Sequence, residues 1–171
     1  MSGSSRIGLV CLLVRDYDEA IAFYVGSLGF EIVEDTVMDG GKRWVVVEPK
    51  GGQGAALLLA RAATSAQQAR IGDQTGGLVC FFLHTGDFDV EYERMMAAGV
   101  KFIESPRREA FGTVVVFEDL YGNKWDLIQP QIWPTGAAPD LGDGYERHTS
   151  VLRFDSELPA GPRPSVDRAS S

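Results

Sequence analysis

Asp126 stands out as a residue that can do chemistry, because it is a carboxylate set into an otherwise apolar strand pattern. In residues 124–128, Trp125 and Leu127 fall on one face and Lys124, Asp126 and Ile128 on the other, since strand side chains alternate. A carboxylate on a central strand of a pocket must be paired, hydrated or raised in pKa. There it can accept a hydrogen bond from a ligand amine or hydroxyl, or take a proton as a general base. A structural link to Lys124 or to an arginine is the alternative. Two further candidates, Cys80 and His84, lie in residues 78–84 and share strand parity with Phe82. His84 can face the same pocket. It also ends its strand beside Thr85 and Gly86, where a surface histidine is ordinary. Trp44, Phe82, Phe111, Phe117 and Trp125 supply aromatic surface, although strand aromatics more often build core. Arg107 and Arg108 read as a solvated loop before a strand, able to steer an anion.

The elements that must position these residues follow from pattern and punctuation. Residues 113–117 and 124–128 flank a turn at Tyr121-Gly122-Asn123, where Gly-Asn tolerates positive φ, so they form a hairpin. Residues 7–14 make the first strand. Asp16, with Glu19 three residues later, predicts a capped helix start, and Gly29 its left-handed end. Strands follow at 30–37, 43–48 and 55–60, then a polar stretch at 61–77 that is a linker or a loop with one helical turn. The order then repeats. Asp16 recurs as Asp87, Asp18 as Asp89, Gly29 as Gly99 and Glu48 as Glu118, at offsets of 70 or 71. Each half reads strand, helix, strand, strand, strand.

Composition bounds the rest. A chain of 171 residues that is 44% hydrophobic suits one folded domain. A net charge of −8 argues against a nucleic-acid partner. Cys11 and Cys80 both sit in apolar runs and read as buried free thiols. Residues 7–14 are too short to span a bilayer and have no small-residue cleavage site, so a cytoplasmic protein with no membrane partner is expected. Six of the eight prolines lie between Pro130 and Pro164, so residues 130–171 read as a disordered Pro/Gly-rich tail. The apolar piece at 151–154 is its one candidate for docking.

The motifs Val14-Arg15-Asp16 through Ala22-Phe23-Tyr24, Leu28-Gly29-Phe30, Ala98-Gly99-Val100 and residues 118–127 (EDLYGNKWDL) resemble the vicinal oxygen chelate superfamily. That superfamily includes glyoxalase I, bleomycin- and fosfomycin-resistance proteins and extradiol dioxygenases. The resemblance spans residues 6–129 and implies an α+β fold. Its two βαβββ modules, residues 6–60 and 77–129, would form a cup-shaped mixed sheet. It also implies four positions at which metal-dependent members carry ligands, held here by Leu9, Leu57, Cys80 and Asp126. Only Cys80 and Asp126 can donate, and a zinc-like site needs three or more protein ligands. No cofactor is therefore expected, and a divalent metal, if bound, would rest on Asp126 and Cys80. The expected cup lining is Leu9, Cys11, Leu57, Cys80, Phe82, His84 and Asp126. Three functions stand open: a homodimeric protein binding a small, largely apolar molecule without a catalytic metal, a lyase or isomerase using Asp126 with Cys80 or His84, with or without metal assistance, or a scaffold whose cup is filled by its own side chains, with the tail binding a partner.

Overall fold

A computed structural model describes residues 5–52 and 54–131. The tail assigned to residues 130–171, and the apolar piece at 151–154, fall almost wholly outside the described residues. Strand β1 (Leu9–Val14) leads into α1 (Tyr17–Ile21), which continues as a π-helical segment (Ala22–Ser27). Next come β2 (Phe30–Val37), β3 (Arg43–Pro49), β4 (Ala56–Arg61) and a single helical turn, α2 (Ser65–Gln68). The second half is β5 (Val79–His84), α3 (Phe88–Ala97), β6 (Lys101–Phe102), β7 (Arg107–Glu109), β8 (Gly112–Glu118) and β9 (Lys124–Pro130). Among the described residues no helix is long and apolar enough to cross a membrane.

The repeat is carried into the topology. One sheet has the order β1-β4-β3-β2 and the other β5-β9-β8-β6, with β7 pairing β8 beside β6. In each, a parallel pair of first and last strands adjoins antiparallel neighbours. The matched residues do matched work. Asp16 caps α1 by accepting from the amides of Asp18 and Glu19, and Asp87 caps α3 by accepting from the Val90 amide. Gly29 and Gly99 both hold positive φ, at 72° and 80°, where a side chain is strained. Glu19 does not close a capping box with Asp16. Its carboxylate accepts from the Tyr121 hydroxyl at 2.8 Å, a partner 102 residues away that local pattern cannot reveal.

The inward faces of the two sheets share one core. Leu12 and Val14 of β1, Val45 and Val47 of β3 and Leu57 and Leu59 of β4 join Val115, Phe117, Trp125 and Leu127 of the second sheet. Tyr24 of the π-helical segment packs against Trp125, with ring centroids 6.1 Å apart, and is fully buried. Its hydroxyl donates to Asp119 Oδ2 at 2.7 Å. Arg94 of α3 donates to the carbonyls of Ser27 and Leu28 at 3.1 and 2.9 Å, satisfying the end of the first module's helix.

The hydroxyl bond from Tyr24 to a buried carboxylate should contribute about 1.5–3 kcal/mol, the range for hydrogen bonds to charged groups. Tyr24→Phe is expected to lower unfolding free energy in urea by that amount. A loss below about 0.5 kcal/mol would show that this contact does not tie the modules together.

Candidate functional site

The β8–β9 hairpin positions Asp126. Its turn is set by Asp119, whose Oδ1 accepts the amides of Tyr121, Gly122 and Asn123 at 2.9, 3.0 and 3.0 Å. Gly122 sits at φ 100°, a value that favours glycine. Beyond the turn, Trp125 and Leu127 enter the core, so alternation turns Asp126 to the sheet's other face. There Asp126 pairs in register with Phe82 of β5 and Val116 of β8, while His84 pairs with Ile128 and Arg107 with Val114.

Asp126 is half-buried, and its Oδ1 is enclosed without a hydrogen-bond partner. Burial pushes its carboxyl up to about 6; Arg107 pulls it down and Glu104 pushes it further up. Arg107 is already engaged. Its Nε donates to Glu104 and its Nη1 to Glu109, each at 3.0 Å. Glu104 Oε1 also accepts the Val116 amide at 3.1 Å, so this acid anchors the crossing from β6 to β7. Arg107 therefore belongs to a short strand and an ion cluster above Asp126, rather than to a solvated loop. Phe82, 54% exposed, leaves an aromatic ring open beside the carboxylate.

The expected cup residues separate into four places. Phe82, His84 and Asp126 share the outer face of the second sheet. Leu9 and Cys11 lie on the outer face of the first, with Ala56 and Leu58 as their register partners. Leu57 is not on that face. It pairs with Val10 and Val47 and is buried in the core at 5% exposure, because strand β4 places Leu58 outward instead. Cys80 sits where the β5–β9 ladder slips by one residue, and its thiol is linked to the Thr75 side chain. Burial, with the Asp119 charge, pushes that thiol up, so it is a poor thiolate at neutral pH. Cys11 is exposed rather than buried, since Leu12 and Val14 take the core positions of β1. Burial pushes the His84 imidazole down from its ordinary value.

Sequence reasoning missed Glu104, Leu58 and the role of Arg107. Glu104 carried a signal, being an acid three residues before an arginine next to a proline break. It also missed two clefts. One, of about 410 Å³, is lined by Arg15, Gln68 and Tyr121 among others, and the other, of about 440 Å³, by Phe23, Ser27, Lys101 and Gly122 among others. Neither is lined by Asp126. The unmatched carboxylate is the stronger marker of a site, because the clefts are open and the Lys101–Glu118 pair lining one of them is already matched at 2.6 Å.

The donor set does not fit the metal site of the metal-dependent fold. Leu9 and Leu57 cannot donate, Leu57 is in the core, and Cys80 is engaged with Thr75. Among the described residues no group of three or more His, Cys, Asp or Glu side chains is placed to hold an ion.

The Glyoxalase/Bleomycin resistance protein/Dioxygenase superfamily model matches residues 6–127. The chain belongs to that superfamily. It is 54% identical to an uncharacterized protein of Shewanella frigidimarina over 70% of this chain and 90% of that one. It is 33% identical to the uncharacterized protein YurT of Bacillus subtilis, over 72% of this chain and 98% of YurT. Among solved structures, UcmS2 matches with TM-score 0.64 at 31% identity, covering 74% of this chain and 98% of UcmS2. TnmS3, an antibiotic-binding protein from Streptomyces sp. CB03234, matches with TM-score 0.61 at 29% identity, covering 76% and 99%.

Asp126→Asn gives a direct check of the electrostatics. Asp126 has a folded pKa of about 6 against 3.8 in the unfolded chain, so its ionisation costs stability as pH rises through about 6. Discounted for partial exposure, that cost is about 1–2 kcal/mol at pH 7.5. The variant should therefore be more stable than wild type by that amount at pH 7.5, with the difference vanishing by pH 4 in urea titrations. A difference independent of pH would mean that Asp126 is solvated.

Proposed function

We propose that this chain binds a small, largely apolar molecule on the outer sheet face, with Asp126 as the polar anchor and no catalytic metal. The half-buried Asp126 carboxylate carries this reading: its Oδ1 is enclosed without a donor, and a ligand N–H or O–H meeting the accessible part of the group would offset the cost of holding a charge over an apolar floor. Around it, Val114, Val116 and Ile128 supply an apolar floor and Phe82 an open ring. A binding site of this kind is mostly apolar with few convergent polar groups. TnmS3 being an antibiotic-binding protein supports the same class of ligand.

A second copy of the chain completes the site in this reading. Leu9, Ile32 and Val33 are between 41% and 54% exposed, and a second copy would cover them. The alternative is catalysis. The Asp126 carboxyl, pushed up to about 6, is suited to a general base in a lyase or isomerase. His84 or Cys80 would then be its partner.

The test is a thermal-shift screen of aromatic small molecules, followed by titration calorimetry of the best hit. Asp126→Ala should weaken that hit at least tenfold, and light scattering of the same sample should give twice the mass of one chain. A hit that binds Asp126→Ala as tightly as wild type would overturn the anchor, and a single-chain mass would remove the second copy. Turnover of the hit, or about one divalent metal per chain lost in Asp126→Ala, would favour the enzyme.

A further inference from the structure

The charge around Asp126 narrows the ligand. Three carboxylates, Glu104, Glu109 and Asp126, share one guanidinium, that of Arg107. Arg107 is committed by hydrogen bonds to Glu104 and Glu109, so it acts on Asp126 only through space and compensates its charge only in part. The other cation on this face of β9 is directed away, because the Lys124 ammonium donates to the Gly77 carbonyl at 3.0 Å. Glu118 is matched by Lys101 at 2.6 Å. On β5 the face offers Phe82 and His84, and burial holds the imidazole below its ordinary pKa, so it adds little positive charge at neutral pH. The ring of Phe82 lies in register with the carboxylate and is open to a flat partner.

We infer that the ligand of this face is an organic cation, a protonated amine carried on a flat apolar body, with the ammonium on the Asp126 carboxylate and the body on Phe82. This rests on the small-molecule reading above and adds the sign of the ligand's charge. A cation gains from the excess negative charge beside the half-buried carboxylate, and an aromatic face adds attraction for it. An anion would meet a surplus of two negative charges, counting three carboxylates against one guanidinium.

The test uses fluorescence titration of the full chain with three ring systems of one shape. These are 9-aminoacridine, cationic at pH 7.5, acridine, neutral there, and acridine-9-carboxylate, anionic. Wild type should bind 9-aminoacridine at least tenfold more tightly than acridine, and the carboxylate more weakly still. Binding of 9-aminoacridine should fall about tenfold between pH 7.5 and 5 as Asp126 takes up a proton. Asp126→Asn should abolish both the preference and the pH dependence, whereas His84→Gln, which removes the imidazole on the same face, should keep both. Equal binding of acridine, with loss in Asp126→Ala, would overturn the cation and leave the small-molecule reading standing. Tightest binding of the carboxylate would make Arg107 the anchor and overturn the proposal. Binding of none of the three would overturn it as well.

Discussion

The buried carboxylate of Asp119 is the contact on which the remaining structure depends. It is 5% exposed, and among the described residues no cation is paired with it. It is held instead by neutral donors: three turn amides on Oδ1, and on Oδ2 the Tyr24 hydroxyl, the Asn123 amide and, at 3.4 Å, the Trp125 indole. Donors of that number satisfy both oxygens without an ion pair. The backbone arm of the network closes the β8–β9 turn, and the side-chain arm reaches the helix of the first module. One carboxylate therefore sets both the hairpin register and the docking of the modules. The Arg94 contacts with the Ser27 and Leu28 carbonyls, and the Tyr121 contact with Glu19, bind the same two modules.

Register fixed at Asp119 determines the fate of Asp126. Trp125 donates to Asp119 and packs inward, so the next residue must face out. The two aspartates are close in sequence and opposite in circumstance. Asp119 has both oxygens satisfied, whereas Asp126 has an enclosed oxygen with no donor. Unmatched buried polar atoms are uncommon in folded proteins and call for an explanation. The proposed ligand would be that explanation. The nearest candidate within the chain, Arg107, is held by Glu104 and Glu109.

Much of the fold was legible in the sequence because it rests on local rules. Asp16 and Asp87 cap helices, Gly29 and Gly99 end them, and alternation around Trp125 separates core from outer face. What was not legible depends on single-residue register. Leu57 and Leu58 are chemically alike, and only the ladder to β1 and β3 decides which one is buried. Cys80 lies at a bulge that parity cannot anticipate. The π-helical segment depends on tertiary partners, Arg94 among them, and the Glu104–Arg107–Glu109 cluster on a short strand whose charged sequence reads as loop. The outer face of the second sheet was therefore half visible: the sequence places Asp126, Phe82 and His84 together there, but not the groups that set its charge.

The most direct measurement is the titration of the Asp126 side-chain carboxyl carbon by NMR in the ligand-free protein. An enclosed, unpartnered carboxylate above an apolar floor should titrate near 6, well above an ordinary aspartate. The addition of a bound cation should then pull that midpoint down by a unit or more. A ligand-free midpoint near 4 would mean that water or a side chain already satisfies the carboxylate, and would contradict the assignment of Asp126 as a ligand anchor.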